Sequence, residues 1–177
     1  MNDLKHKFLL DETVTFLNHG SYGACPVPIF EDYQTWQKKL EQQPVKFLKT
    51  DIWNALRNSR LSLSEFVGCN EDEILFFHNP TSAIANVINS LQLNEGDEVL
   101  MTDHEYGALV RQWNLWGERN KVNVIQQKIP VPVTSKKEFV ENFFRGVTIK
   151  TKVIFISQIT SPTAIIFPLE EIINMAK

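Results

Sequence analysis

The chain has 177 residues, which suits one domain or an incomplete larger one. Hydrophobic residues make up 43% and charged residues 22%, and the formal net charge is −3 with acidic and basic residues intermixed. This is the profile of a soluble globular protein with a substantial core; it offers no basic footprint for nucleic acid, and no apolar run approaches a membrane span.

Residues 1–15 read as an irregular or short helical arm. The start, Met1 to Lys7, lacks the apolar core and cleavage site of a signal peptide, so a cytoplasmic location is expected. Phe16-Leu17 runs into a Gly-rich turn, Asn18 to Gly23. Pro26 and Pro28 then open a helix that carries Ile29, Phe30, Tyr33, Trp36 and Leu40 and ends before Pro44. A second helix is expected over about Asp51–Phe66, capped by Thr50 or Asp51, with Gly68 just past its end. Ile52, Leu56, Leu63 and Phe66 would give it a core face. Cys25 and Cys69 are too few for a disulfide framework and read as reduced structural thiols. His6, His19, His78 and His104 are scattered, with no spacing that resembles a metal-ligand set, so no metal is expected.

From Glu73 the pattern changes to alternating strands and helices. Ile74-Leu75-Phe76-Phe77 reads as a continuous apolar strand. It leads into a helix over 81–91 with Ile84, Val87, Ile88 and Leu91 on one face. Asn94 to Asp97 is a turn and Glu98–Thr102 a strand. The polar loop Asp103 to Gly107 opens a helix with Leu109, Trp113 and Trp116 on one side. Val122–Ile125 is the next strand, followed by a Pro-rich link. Ser135 and Glu138 form a capping-box pair for a helix to about Arg145. Thr151–Ile156 is a strand ending in the loop Ser157–Thr163, and Pro168 opens a last helix. Such alternation argues a mainly parallel sheet flanked by helices.

The turn Asn79-Pro80-Thr81-Ser82 joins an expected strand to a helix. Unpaired N–H groups and the positive end of the helix dipole attract an anion there, and Thr81 and Ser82 add two hydroxyls. The same residues also suit a simple N-cap, and both readings use the same donors. In parallel α/β sheets, sites form at the C-terminal ends of strands. The loops 78–82, 103–107 and 157–163 all fall at such ends. Together they offer an anion pocket, an aromatic ring and several hydroxyls.

These loops, with Phe16 to Pro26, Gly96-Asp97-Glu98-Val99-Leu100 and Pro168 to Ile172, resemble in order and spacing the aminotransferase class V family of pyridoxal-phosphate enzymes. The resemblance is to its branch of isopenicillin N epimerase-like and cysteine desulfurase-like proteins. It implies an α/β fold: the N-terminal part of a fold-type I large domain, with an arm and helices over 1–70 and an incomplete cofactor-binding domain over 71–177. It implies pyridoxal phosphate as cofactor. Thr81 and Ser82 would take its phosphate, Tyr106 would stack on its ring, and Ser161, with Thr163 beside it, would approach its ring hydroxyl. Asn18, His19 and Gly20 would belong to a segment closing over the substrate side. Taken alone, Tyr106 also reads as a packing residue, Ser161 and Thr163 as an ST-turn before Pro162, and His19 as a surface or satisfied histidine.

Enzymes of this family form a Schiff base between a lysine and the cofactor, and an acidic residue holds the pyridine nitrogen. The resemblance places both beyond Lys177, so the catalytic lysine is expected outside these residues. It also places strands of the remaining half beside the 73–77 strand, which leaves that strand unpaired here. The implied function is the N-terminal portion of an enzyme acting on an amino acid by lyase, desulfurase or epimerase chemistry, as a homodimer of the full-length protein. The alternative is a non-catalytic α/β module that keeps the phosphate site and acts through assembly with a complementary chain.

Overall fold

In the computed structural model, residues 4–177 are described. The chain forms two compact units, one ending at Leu75 and the other beginning at Phe76.

The first unit opens with a short 3-10 turn, Lys5–Lys7, and an isolated antiparallel bridge between Phe8 and Pro26. Helix α1 (Val27–Gln42) carries Pro28 in its first turn, where a missing N–H costs nothing. After α1 the chain is helical without interruption from Pro44 to Val67: α2 (Pro44–Lys46), a π-turn (Phe47–Asp51) and α3 (Ile52–Val67). This corrects the expected helix start at residue 51. Asp51 is itself helical (φ −73°, ψ −36°) and its side chain caps nothing. Pro44 supplies the start instead, and the wider π-turn absorbs the register change that buries Phe47 edge-on against Trp36. Gly68 closes α3 in the left-handed conformation (φ 76°), as expected.

The expected core face of α3 holds over its first half only: Ile52 and Leu56 are half-buried, while Leu63 and Phe66 are exposed. Phe66 is 88% exposed and Ser64 is the buried residue of that helix, while α1 buries none of its side chains. Periodicity marks a face that is apolar; it does not supply the surface that would cover it.

Asn70 and Glu73 form a reciprocal capping box around the 3-10 turn Glu71–Glu73. Residues 74–77 follow without a strand partner, so the expected strand does not form. Ile74 is extended (φ −107°, ψ 124°), but Leu75 is 78% exposed, and Phe76 and Phe77 are exposed as well. A strand exists only as part of a ladder, and no strand among the described residues pairs with these, in keeping with the expectation that its neighbours lie outside this half.

The second unit contains α4 (Pro80–Ser90), β1 (Glu98–Thr102), α5 (Gly107–Asn120), β2 (Asn123–Gln127), α6 (Lys136–Phe144), β3 (Thr151–Phe155) and α7 (Leu169–Ala176). The sheet order is β2-β1-β3 and both pairings are parallel, as the alternating pattern predicted. Each helical crossover returns the chain to the same end of the sheet. Central strand β1 is buried on both faces, and its side chains alternate between two cores. Leu100 packs with Phe139, Phe143, Phe167 and Ile172. Val99 and Met101 pack with Ile88, Trp113 and Val122 on the opposite side. Helices α6 and α7 therefore cover one face and α4 and α5 the other.

Half of the predicted capping box at α6 forms. Ser135 Oγ accepts the Glu138 N–H at 3.2 Å, but the Glu138 carboxylate takes the Thr134 hydroxyl rather than the Ser135 backbone. A hydroxyl just outside the helix competes for the same carboxylate.

Candidate functional site

Helix α4 begins at Pro80. Its N-cap is Asn79, whose Oδ1 accepts the Ser82 N–H at 2.8 Å, while the Asn79 carbonyl accepts the Ala83 N–H at 3.2 Å. Pro80 has no N–H to satisfy. The capping role that sequence alone allowed to Thr81 or Ser82 is thus filled by Asn79. The Thr81 and Ser82 hydroxyls have no hydrogen-bond partner among the described residues, and both residues are half-buried. Two free hydroxyls and the free Thr81 N–H stand together at the positive end of an 11-residue helix, a donor set suited to a phosphate-like anion.

Past the C-terminal end of β1, three consecutive side chains tie the loop down. Asp103 Oδ1 accepts the Ile129 N–H at 2.9 Å. His104, 9% exposed, places Nε2 3.0 Å from the Ile129 carbonyl and Nδ1 3.3 Å from Thr163 Oγ1, with its ring edge-on to Phe167. A carbonyl oxygen only accepts, so Nε2–H donates to it, and in the neutral ring Nδ1 accepts the Thr163 hydroxyl. Glu105, 5% exposed, accepts the Thr102 hydroxyl at 2.8 Å and both the N–H and the hydroxyl of Ser157. Tyr106 comes next, in extended conformation (φ −61°, ψ 124°), at the N-cap position of α5; its side chain makes no cap bond and its ring is half exposed.

The loop after β3 is held by Thr160 together with Thr163, and not by Ser161. Buried Thr160 Oγ1 accepts the Ile165 N–H at 3.0 Å and lies 2.7 Å from Thr163 Oγ1. Ile159 and Ile166 form an antiparallel bridge around this turn. Ser161 is exposed at the tip, with no hydrogen-bond partner among the described residues. Thr163 is engaged between Thr160 and His104.

In the first unit, Asn18 Oδ1 accepts the Ser21 N–H at 3.3 Å and the Asn18 carbonyl accepts the Tyr22 N–H at 3.0 Å. The His19 ring stands edge-on to Phe16 at 4.7 Å. A Cβ on Gly20 would meet nothing within 4 Å, whereas one on Gly23 would sit 3.2 Å from the His19 carbonyl. The close approach in this turn therefore falls at Gly23.

Within the second unit the structure brings the 103–107 and 157–163 loops into direct contact, through Glu105–Ser157 and His104–Thr163. Thr81 and Ser82 make no hydrogen bond to either loop. Glu105 and Thr160 carry no signal of their own in the sequence, and His104 reads there only as one of four scattered histidines. Each stands in a polar, loop-like stretch that reads as solvated, and nothing local indicates that a carboxylate there will be buried.

A family model, Aminotransferase class-V, matches residues 29–177. Isopenicillin N epimerase of Amycolatopsis lactamdurans is 30% identical over 171 residues, covering 95% of this chain and 43% of that protein. A probable chloroplastic L-cysteine desulfhydrase of Arabidopsis thaliana is 23% identical, covering 91% of this chain and 37% of that protein. The chain thus spans less than half the length of these relatives. Among solved structures, a C-DES variant with glycine covalently linked to its PLP cofactor superposes with a TM-score of 0.86 at 20% identity, covering 96% of this chain and 44% of that one. The cysteine desulfurase CsdA from Escherichia coli superposes with a TM-score of 0.79 at 16% identity, covering 98% and 45%. Both share the fold.

Proposed function

The chain belongs to the aminotransferase class-V family, whose members use pyridoxal phosphate, and from that premise we propose that it is the N-terminal portion of a pyridoxal-phosphate-dependent enzyme acting on an amino acid. The chemistry proposed is of the lyase, desulfurase or epimerase type, in line with the relatives' names. The full-length protein is proposed as a cytoplasmic homodimer. The thiols of Cys25 and Cys69, expected as structural residues, are instead free and exposed, which suits a reducing compartment, and the exposed Ile29, Tyr33 and Trp53 of α1 and α3 provide apolar surface for assembly.

In this reading Thr81 and Ser82 bind the phosphate with their hydroxyls and the α4 N-terminus. Tyr106 offers a half-exposed ring face for offset stacking. Ser161 presents an unpaired hydroxyl toward the cofactor ring, and Thr163 orients the turn that carries it through its bond with His104. Asn18, His19 and Gly20 are proposed to face the amino-acid substrate. The bound cofactor supplies an electron sink for bonds broken at the substrate Cα. The lysine that anchors it is proposed to lie in the remainder of the full-length protein.

The observation that carries the reading is the division of labour at the α4 N-terminus: Asn79 caps the helix and leaves both hydroxyls free. The test is a titration of the full-length protein with pyridoxal phosphate. Replacing both Thr81 and Ser82 by Ala is expected to weaken binding about a hundredfold or more, because each charge-assisted hydrogen bond contributes roughly 1.5–3 kcal/mol. Unchanged affinity in the double variant would refute the phosphate assignment.

A further inference from the structure

We propose that Glu105 is a positioning residue of this site: its buried carboxylate clamps the loop after β1 to the loop after β3, and so sets where the Tyr106 ring stands relative to Ser161. The inference rests on the reading that Tyr106 and Ser161 face the cofactor.

The first support is the geometry of the clamp. Glu105 Oε1 accepts the Thr102 hydroxyl at 2.8 Å, and Oε2 accepts the Ser157 hydroxyl at 2.6 Å. The Ser157 N–H points at both oxygens, at 3.1 and 3.2 Å. One side chain is therefore bound to the last residue of β1 and to the second residue past the end of β3. Thr102 Oγ1 also accepts the His104 N–H at 3.2 Å, which folds the loop back over the strand end. The peptide next to this anchor is that of Tyr106. With the Glu105 side chain held from two strands, the direction in which Tyr106 leaves the sheet is fixed.

The second support is the cost of the arrangement. No Lys or Arg pairs with Glu105 among the described residues, and the group is 5% exposed. Burying a carboxyl group this way is expensive even when it is hydrogen-bonded, and an apolar side chain of similar size would hold the two loops together more cheaply. An apolar side chain would not fix their relative direction, because packing contacts are non-directional. Hydrogen bonds to Ser157 are directional, and Ser157 stands four residues before Ser161, the proposed cofactor contact on that loop.

The experiment uses the full-length protein with Glu105→Gln, Ser157→Ala and Tyr106→Ala, first without cofactor and then titrated with pyridoxal phosphate. Gln keeps the size of Glu but replaces one acceptor by a donor, so a donor from Thr102 or Ser157 loses its partner. Ser157→Ala removes the shortest bond and keeps the backbone one, which covers the case in which the Glu105 variant does not fold. Without cofactor, amide hydrogen exchange over 103–107 and 157–163 is expected to accelerate about tenfold in both variants. With cofactor, affinity is expected to fall about tenfold and the visible circular dichroism of the bound group to change, since both depend on the placement of the ring that stacks on it. Unchanged exchange overturns the clamp. Faster exchange with affinity and dichroism like the parent's, while Tyr106→Ala alters both, overturns the positioning role. If Tyr106→Ala itself alters neither, it is the cofactor reading of Tyr106 that fails, and the proposed role of Glu105 falls with it.

Discussion

His104 Nδ1 and Thr163 Oγ1 stand 3.3 Å apart, although 59 residues separate them in the chain. The bond joins the loops after two neighbouring strands of a parallel sheet. It also uses the hydroxyl that sequence reasoning had assigned to the cofactor. Replacing Thr163 by Val leaves His104 Nδ1 without a partner and deprives Thr160 of the hydroxyl 2.7 Å away. Thr163→Val is expected to lower stability by about 1–3 kcal/mol, the cost of leaving a buried polar group unsatisfied, as read from urea unfolding. A variant as stable as the parent would show that the hydroxyl is not part of the loop's framework.

Asn79 and the pair Thr81/Ser82 share a turn but carry separable roles. Asn79→Ala removes the side-chain acceptor of the Ser82 N–H and is expected to cost about 1 kcal/mol of stability. Thr81→Ala with Ser82→Ala is expected to leave the melting temperature within about 2 °C while weakening pyridoxal-phosphate binding. Thermal melts run beside cofactor titrations separate the two effects. The reverse pattern, with stability lost in the double variant, would mean that the hydroxyls serve the helix.

Gly117 lies where α5 crosses β2. A Cβ there would sit 2.7 Å from the Val122 carbonyl oxygen and 3.0 Å from Val124 Cγ2. Backbone cannot rotate aside as a side chain can. Gly117→Ala is therefore expected to destabilise by about 1–2 kcal/mol, overpacking outweighing the better helix propensity of Ala. Chemical denaturation would reveal the opposite sign if α5 can shift outward without loss.

Lys136 and Glu171 link α6 to α7 at 2.8 Å on the surface. The hydrogen bond from Lys136 holds the Glu171 carboxyl below its ordinary value, and the same bond raises Lys136 above its own. A lowered carboxyl stabilises the fold above its unfolded value, and this contribution is lost as pH falls through the folded one. A raised amine contributes below its unfolded value and loses its effect as pH rises through the folded one. Glu171→Gln is thus expected to be slightly less stable than the parent at neutral pH and indistinguishable from it in acid below the carboxyl range. The neutral-pH difference should shrink in high salt, because the pair is exposed. Melts at several pH values check this; a difference that persists in acid would mean the effect is not electrostatic.

The sequence by itself determined the alternation of elements after residue 77, the parallel sheet and the loops at its C-terminal edge. These follow from periods of two and 3.6 and from Gly, Pro and hydroxyl residues, all of which act over a few positions. It also determined the family, through motifs kept in order along the chain. The tertiary structure decided what each polar group does. Asn79 took the cap and freed Thr81 and Ser82. Thr160 took the turn and freed Ser161, while His104 claimed Thr163. Glu105, which reads as a solvated loop residue, became buried because the loop after β3 brings Ser157, 52 residues later in the chain, to meet it. The strand expected at 74–77 failed for the converse reason. Its residues favour extension, but a ladder needs a neighbour, and local preference cannot supply one.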